Sequence, residues 1–459
     1  MTTPRQFLFL QGLPGGFFRD LAEALAARGH KVHRVNFNGG DLLGWRFGGV
    51  NYRGATHRWP AFLARLIMTQ QITDVVLFGD CRPLHRMARA TAAGLGVVVH
   101  VFEEGYLRPD WITLERGGVN GFSPLPDDPQ WYRDAAAALP PVPARPALPE
   151  AFRHRARATV AYYAAAILLG WAYPRGRTHR PWPPWLEAAG WIGRLAGRRT
   201  ALARSTAETA RISLSPYFIL PLQLDSDYQL RTHSDFDGMQ PALARVLASF
   251  ARHAPPEMLL VVKEHPLDNG LSAWRSRTLD YARALGVAER VVFLDVGDIG
   301  VLVRAAHGVV TVNSTTGALA LAAGVPVCTL GRAVYDMAGL THQGPLDGFW
   351  TAPLPPAPDL YDAFQRVLAH ACLLHGGFYD VAGRDALIAT AVERILAPQP
   401  AAPFAVQPAT ALGPQHRPRL FGGKGRGRRI ASGALAWPSP PVVAPLSEPL
   451  ARGPASVLK

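Results

Sequence analysis

The stretch QFLFLQGLPGGFFRDLAEALAARGHKVHRVNFN, residues 6–38, decides the fold. A short apolar run is followed by the turn LPGG and then by apolar residues at helical spacing that end at Gly29. Residues 31–38 alternate as a second strand does. The order strand, turn, helix, strand predicts a β-α-β unit, whose two strands run parallel in one sheet.

The same pattern recurs along the chain. ITDVVLFGD (residues 72–80) predicts a strand, residues 81–96 predict a helix, and VVVHVFEEG (residues 97–105) predicts another strand. A second series of alternating strands and helices begins near Ile212. We therefore expect an α/β protein with two Rossmann-like domains, in which ligands bind at the carboxyl ends of the strands.

The chain of 459 residues is too long for one ordinary core. We expect an N-terminal Rossmann-like acceptor-side domain over residues 1–122 and a connector rich in Pro, Trp and Arg over 123–211. A second Rossmann-like domain, which binds the nucleotide, is expected over 212–397. Residues 398–459 hold 12 prolines and no sustained apolar period, so they predict a disordered basic tail.

The charge balance indicates anionic partners. The formal net charge is +14, and the tail supplies half of it with eight basic residues and one acid. Nucleic acid, anionic lipid or a phosphorylated substrate would each fit this charge. No recognised nucleic-acid module is present, and a basic tail such as GGKGRGRR is a pattern of low specificity. We therefore expect no specific nucleic-acid partner.

Cysteine use and hydropathy favour a cytoplasmic protein. Cys81, Cys328 and Cys372 are far apart and give neither a disulfide framework nor a metal-site spacing. The first residues lack the apolar core of a signal peptide. The longest apolar stretch, residues 159–173, is shorter than the roughly 20 residues of a membrane span. We expect the protein to lie, at most, on a membrane surface.

The connector allows two interpretations of equal weight. It mixes tryptophans with arginines, namely Trp171, Trp182, Trp185 and Trp191 with Arg175, Arg177, Arg180, Arg194, Arg198 and Arg199. It could be a helical linker with a solvated basic face. It could also be an interfacial patch, because Trp and Arg favour the lipid headgroup layer.

Two adjacent acids end the strand of the first domain, in VFEEGYLRPD at residues 101–110. Neighbouring carboxylates repel each other and are costly near a core, so packing alone rarely places them there. At the carboxyl end of a parallel strand, Glu103 and Glu104 would face the cleft between the domains. We predict that they are catalytic.

In the second domain, VVKEHPLDNG (residues 261–270) places Lys263, Glu264, His265 and Pro266 at a strand end. A lysine and a histidine there can hold a phosphate, and a histidine whose pKa lies near neutrality can protonate a leaving phosphate. The plainer interpretation is a histidine satisfied within its loop. We predict that His265 is catalytic.

A polar loop, VNSTTG at residues 312–317, follows a later strand and begins a helix. Hydroxyls and free N–H groups at a helix start can bind an anion, although Ser and Thr also cap helices routinely. The predicted phosphate and nucleotide contacts are Gln223, Lys263, Glu264, Pro266, Asn313, Ser314, Thr315 and Gly317.

Asp225 and Asp227 form a DSD triplet that is similar to the DxD metal motif of one class of glycosyltransferases, whose fold is not the one predicted here. Three-residue acidic matches are common by chance. We expect these two aspartates to cap loops or contact the nucleotide, and we expect no metal and no cofactor.

The chain resembles a known family in several separate runs. Two Rossmann-like halves around a cleft make the GT-B glycosyltransferase architecture. The acidic pair with glycine, the HP dipeptide and the Ser/Thr loop resemble bacterial sialyltransferases and Kdo transferases that use CMP-sugars. The runs FLQGLPGGFFRDLA (residues 9–22), FEEGYLRPDWITLERGGVNG (102–121), LPLQLDSDYQLRTHS (220–234) and GLTHQGPLDGFW (339–350) look like the KpsS/LipB-type capsule polysaccharide proteins.

The resemblance, which spans about residues 6–395, implies a β-Kdo transferase. Such an enzyme uses CMP-Kdo as donor and a phosphatidylglycerol-type lipid as acceptor, works with the capsule biosynthesis and export machinery, and lies on the inner face of the inner membrane. It implies a catalytic role for Glu104 and His265 and phosphate contacts from Ser314 and Thr315. The chain departs from the sialyltransferase pattern at Glu104, where aspartate is usual.

Three alternatives stay open at this point. A capsule export or scaffold protein could use the same fold to hold glycolipid without catalysis. A nucleic-acid-binding protein would account for the charge. A GT-B-like epimerase would act on a free nucleotide sugar and would need a diphosphate site.

Overall fold

The computed structural model describes residues 4–43, 45, 48–149, 152–175, 182 and 184–398. Almost all of the predicted tail, together with Arg177 and Arg180 of the connector, lies outside the described residues. None of the described helices combines the length and the apolar character that a membrane span requires.

Fifteen α-helices occur in the described part of the chain. In chain order they are α1 Phe17–Ala27, α2 Trp59–Thr69, α3 Pro83–Gly94, α4 Pro129–Ala137, α5 Phe152–Leu168, α6 Pro184–Ala196, α7 Arg198–Ile212, α8 Tyr228–Thr232, α9 Met239–His253, α10 Trp274–Ala284, α11 Ile299–Arg304, α12 Thr315–Ala322, α13 Leu346–Phe349, α14 Pro358–Ala371 and α15 Val381–Leu396.

Twelve strands form two sheets in the same part of the chain. They are β1 Gln6–Phe9, β2 Lys31–Asn36, β3 Val50–Asn51, β4 Asp74–Phe78, β5 Val98–Glu104, β6 Trp111–Arg116, β7 Tyr217–Pro221, β8 Leu259–Lys263, β9 Val291–Leu294, β10 Gly308–Thr311, β11 Val327–Thr329 and β12 Leu373–His375. The first sheet has the order β12-β6-β5-β4-β1-β2-β3, and the second has the order β11-β10-β7-β8-β9. These are the two Rossmann-like domains of the GT-B-like α/β architecture that the sequence predicts.

The opening stretch folds as expected because its apolar residues lie on one side of α1. Phe17, Leu21 and Leu25 are buried against the first sheet, while the opposite face of the helix is polar. Gly29 adopts a φ of +84° just after the helix, a conformation that other residues reach only with strain. The chain thereby turns back at once into β2, parallel to β1.

The first sheet is mixed rather than wholly parallel. β6 runs antiparallel to β5 with Glu104 opposite Ile112, and β12 runs antiparallel to β6. The parallel alternation predicted from the sequence ends at β5, because a turn of only six residues joins β5 to β6. A connection that short can only reverse the chain direction.

The expected domain boundary at residue 397 requires correction. β12 pairs with β6 of the first sheet, and α15 packs against α1. Residues 373–396 therefore belong to the first domain, although they follow the second in the chain. A three-residue apolar strand and an amphipathic helix carry no information about which sheet they join, so sequence order suggested the wrong one.

The connector contains α4 to α7 and reaches both sheets. α5 packs on the turn after β2, where Tyr162 bonds to Asn38 and Asp41 at 2.8 and 2.9 Å. α7 lies at the end of β9, where Ser205 Oγ accepts a bond from Val296 N. The connector helices thus lie along the carboxyl ends of strands in both domains.

Candidate active site

Glu103 and Glu104 end β5, as the sequence predicts, and both are half-buried. Successive side chains of a strand point to opposite sides, so the two carboxylates are directed apart. Glu103 faces the second domain, where Gln229 Nε2 donates to its Oε2 at 3.2 Å. Glu104 faces the connector, where Arg155 Nη1 lies 3.4 Å from its Oε1. The repulsion of adjacent acids is thereby reduced by separate partners.

Glu103 is in a setting that favours its neutral form. Burial raises the pKa of the Glu103 carboxyl to about 7. The hydrogen bond that the Glu104 N–H donates to this carboxyl lowers its pKa, whereas the negative charges of Glu104 and Asp227 raise it. A Cβ on Gly79 would lie 3.2 Å from Glu103 Oε2, so a glycine there leaves room for the carboxyl. Glu103 can therefore exchange a proton near neutral pH.

Arg155, on α5, contacts the first domain and acts electrostatically on the second. Its guanidinium pairs with Glu104 of the first domain and lies 5.7 Å from the centre of the Tyr379 ring. Its positive charge also lowers the pKa of His265 in the second domain. The charge of Arg155 thus acts on Glu104 of one domain and on His265 of the other. No motif surrounds Arg155, so its contact with Glu104 could not be predicted from the sequence.

His265 follows β8 and is half-buried. Its Nδ1 accepts the N–H of Leu267 at 3.0 Å, which leaves the proton of the neutral ring on Nε2. Burial lowers the pKa of His265 to about 4. Nearby positive charges act in the same direction, namely Lys263, Arg194, Arg108 and Arg155.

The expected near-neutral pKa of His265 is therefore wrong for the protein without ligand. At pH 7 the ring is neutral and offers an Nε2–H donor rather than an acidic proton. The physical reasons are the burial of the ring and, after it, the positive charges of Lys263, Arg194, Arg108 and Arg155, all of which disfavour the imidazolium. An anion bound among these cations would offset them and raise the pKa of His265 again.

The other residues of the KEHP stretch divide into two roles. Burial lowers the pKa of Lys263 to about 8, so its ammonium stays charged at pH 7 while Nζ donates to the Glu264 carbonyl at 2.8 Å. The Glu264 carboxylate pairs with Arg194 of α6 at 3.1 Å. Pro266 is exposed. Lys263 can thus face an anion, whereas Glu264 fixes the connector to the second domain.

The polar loop follows β10, and Ser314 caps α12 by accepting the Thr316 N–H at 3.2 Å. Asn313 and Gln223 form a reciprocal pair at 2.9 and 3.1 Å. Thr315 is the first residue of the helix, where backbone N–H groups have no partner within the helix. The loop is therefore held in place by side chains that also line the cleft.

Gly317 has a packing role, while its phosphate contact stays a prediction. Its N–H already donates to the Ser314 carbonyl at 2.9 Å. A Cβ at this position would lie 2.3 Å from Tyr335 Oη, far inside van der Waals contact. The glycine is required so that Tyr335 can donate to the same carbonyl at 2.5 Å.

Gln229, on α8, connects these groups across the domains. Its side chain contacts Glu103, and its backbone carbonyl accepts a bond from Asn313 Nδ2 at 3.0 Å. The sequence analysis placed this residue in a family-like run without assigning it a role. Its neighbour Asp227 caps α8 and Asp225 accepts the Met239 N–H, so the expected capping role of both aspartates is confirmed.

One group of residues could hold a metal ion in the described part of the chain. It consists of Asp80, Cys81 and His233, whose donor atoms lie within 4.8 Å of one another. The Cys81 thiol already lies 3.2 Å from both Gln229 Oε1 and His233 Nε2, and 3.3 Å from Asp80 Oδ1. These contacts form a buried polar junction between the domains, beside Glu103.

Comparison with known proteins gives a consistent result. Residues 73–379 match a family model described as capsule polysaccharide biosynthesis protein. The chain is 36% identical over 387 residues to the capsule polysaccharide export protein KpsS of Escherichia coli, which covers 82% of this chain and 97% of that protein. It is 33% identical over 388 residues to the capsule polysaccharide modification protein LipB of Neisseria meningitidis serogroup B, covering 83% and 93%.

Among solved structures, a β Kdo 2,7 transferase, KpsC of Thermosulfurimonas dismutans, is similar with a TM-score of 0.38 and 14% identity. The similarity covers 85% of this chain and 99% of that one.

Proposed function

The chain belongs to the capsule polysaccharide biosynthesis protein family, and we propose that within it this protein is a glycosyltransferase. It moves a β-Kdo residue from CMP-Kdo to a phosphatidylglycerol-type lipid, and so begins the linker on which capsular polysaccharide is carried. It works without a metal, at the inner face of the inner membrane, together with the capsule biosynthesis and export machinery.

The observation that carries this proposal is the position of Arg155. The residue pairs with Glu104, and its positive charge lowers the pKa of His265 in the other domain, which supports a shared site for the carboxylate and the imidazole. CMP-Kdo bears one phosphate and one carboxylate close to the reacting carbon. Lys263, Arg108 and Arg155 provide the opposite charge for both anions without a metal.

In the reaction that we propose, the bond between the anomeric carbon and the phosphate oxygen breaks, and its electron pair leaves with CMP. His265 Nε2–H, Lys263 and the helix start at Ser314 stabilise the departing phosphate. The sugar centre becomes cationic and is stabilised by the Glu104 carboxylate. The acceptor hydroxyl then bonds to this carbon and gives its proton to Glu103, whose pKa of about 7 suits a base.

Retention of the β configuration allows two routes. Glu104 can form a transient covalent ester with the anomeric carbon, which the acceptor then displaces. Alternatively, the acceptor can attack on the face that CMP leaves while Glu104 only stabilises the charge. The glutamate in place of the usual aspartate gives the carboxylate a longer reach in either route.

The test is incubation of the protein with a fluorescent phosphatidylglycerol and either CMP-Kdo or CMP-sialic acid, followed by mass analysis of the lipid. We expect one Kdo added from CMP-Kdo only. Glu104→Gln should abolish transfer without unfolding, whereas Glu393→Gln, at an exposed position of α15, should leave it unchanged. Absence of product, with glycolipid bound but unaltered, would favour the scaffold alternative.

A further inference from the structure

The connector helices carry most of the apolar surface that the fold leaves uncovered. Of the 21 large hydrophobic side chains that are exposed in the described part of the chain, 11 lie between residues 152 and 214. Trp171 is 81% exposed, Trp185 71% and Ile192 68%. Isolated exposed hydrophobic residues are normal, but such a concentration marks an interaction surface.

The exposed residues form stripes along the helices. On α6, Trp185, Ile192 and Leu195 are spaced seven and three residues apart, which places them on one side of the helix. On α5, Ile167 is exposed in the same way, and Trp171 follows just beyond its end. α6 is thus amphipathic in the manner of helices that lie in a membrane interface, and the exposed residues of α5 add to the uncovered apolar surface.

The same segment carries a strong positive charge. Residues 152–214 contain eleven arginines and two glutamates, a net charge of +9. With the +7 of residues 398–459, this exceeds the total of +14, so the rest of the chain is slightly acidic. Arg153, Arg198 and Arg199 are exposed and form no ion pair within the described residues.

We propose that the outer side of α5, α6 and the start of α7 docks on an anionic lipid bilayer. A second copy of the chain would bring two positive surfaces together, so charge disfavours self-association through this surface. An anionic bilayer offers the complementary charge for the arginines and an apolar layer for the tryptophans and aliphatic residues.

The inner side of the same helices is fixed to the candidate active site. Arg155 of α5 contacts Glu104, and Arg194 of α6 contacts Glu264, next to His265. Docking would therefore hold Glu104 and Glu264 one helix diameter, ~10 Å, from the membrane surface. This inference deepens the proposed function, because it names the surface through which the enzyme meets its acceptor.

The experiment is sedimentation of the full chain with vesicles of phosphatidylglycerol and phosphatidylcholine, or of phosphatidylcholine alone, without any nucleotide sugar. The test variant combines Trp171→Glu, Trp185→Glu and Ile192→Glu. The control combines Met68→Glu, Leu354→Glu and Val381→Glu, at positions of comparable exposure outside the connector. Circular dichroism and Tm establish that both variants are folded.

We expect the partitioning of the test variant to anionic vesicles to be at least tenfold lower than that of the wild type. The partitioning of the control variant should stay within twofold of the wild type. The wild type should bind only weakly to neutral vesicles. Equal binding of the test variant and the wild type would overturn the proposal and assign binding to the basic tail, which both retain. A wild-type dimer in sedimentation velocity that the test variant abolishes would overturn it in favour of self-association. Since no donor is present, failure of glycosyl transfer would leave this result unaffected.

Discussion

Arg155 Nη1 lies 3.4 Å from Glu104 Oε1, although 51 positions of sequence and a domain boundary separate the two residues. The pair fixes a connector helix to the end of β5. The positive charge of Arg155 also lowers the pKa of His265 in the second domain. The candidate chemistry depends on this arrangement.

Replacing Arg155 with alanine should reduce kcat/KM for CMP-Kdo by roughly 10- to 100-fold, because a charge-assisted contact of about 1.5–3 kcal/mol is lost. The main effect is expected in KM, since the arginine faces the anionic donor. Arg65→Ala, at an exposed position on α2, serves as the matched control. Unchanged donor kinetics in the Arg155 variant would contradict the assignment.

Glu103→Gln should lower transfer by about 10²- to 10⁴-fold, the usual contribution of a positioned base. The amide oxygen can still accept the bond from Gln229, so the variant should fold. In the wild type, the rate should fall as the pH drops below about 7, because protonation of Glu103 removes the base. If the glutamine variant keeps the wild-type rate and the same loss of rate below pH 7, a group other than Glu103 is responsible for the pH dependence.

Titration of the Glu103 carboxyl should also make the free energy of unfolding depend on pH. Stability should fall as the pH rises, whereas the rate of transfer should increase. The pKa of Glu103 in the folded protein is raised above that of the unfolded chain, so its stabilising effect is complete in acid and is lost as the pH rises through 7. Urea unfolding at pH 5.5 and 8 should therefore show a smaller decline for Glu103→Gln than for the wild type. An identical decline would place the pKa of Glu103 near its ordinary value.

The ring of His265 should titrate near pH 4 in the free protein, and CMP should raise this pKa towards neutrality. Burial and four nearby cations disfavour the imidazolium, and a bound phosphate would offset the cations. Long-range ¹H–¹⁵N NMR spectra measure the titration, and the signal is assigned by its loss in His265→Asn. A pKa that does not respond to CMP would separate His265 from the phosphate site.

Gly317→Ala should lower the free energy of unfolding by about 1–3 kcal/mol, because the new methyl group would overlap Tyr335. Chemical denaturation measures the loss. Gly94→Ala is the control, since a Cβ at that helical position meets nothing within 4 Å and should be neutral or slightly stabilising. Equal stability of both variants would mean that Tyr335 can move aside at little cost.

Local sequence patterns were sufficient to predict most of the secondary structure near the site. The strands that end at Glu104 and Lys263 and the helix that begins after Ser314 were predicted from apolar runs and capping residues. The position of Glu103 and Glu104 at a strand end was predicted as well, because hydrophobic periodicity and turn-forming residues are local properties of the sequence. The return of residues 373–396 to the first sheet did not follow, because pairing between distant strands leaves no local pattern.

In the candidate active site, too, some features follow from the local sequence and others from contacts between distant residues. The amino-acid sequence by itself determined which side chains stand at the carboxyl ends of β5, β8 and β10, and that the connector is rich in arginine and tryptophan. Only the tertiary structure decided that Glu103 and Glu104 point apart, that Gln229 links Glu103 to Asn313, that Arg155 pairs with Glu104, and that burial favours the neutral form of His265. Those properties depend on distances and burial between residues far apart in the chain, and the fold alone sets these.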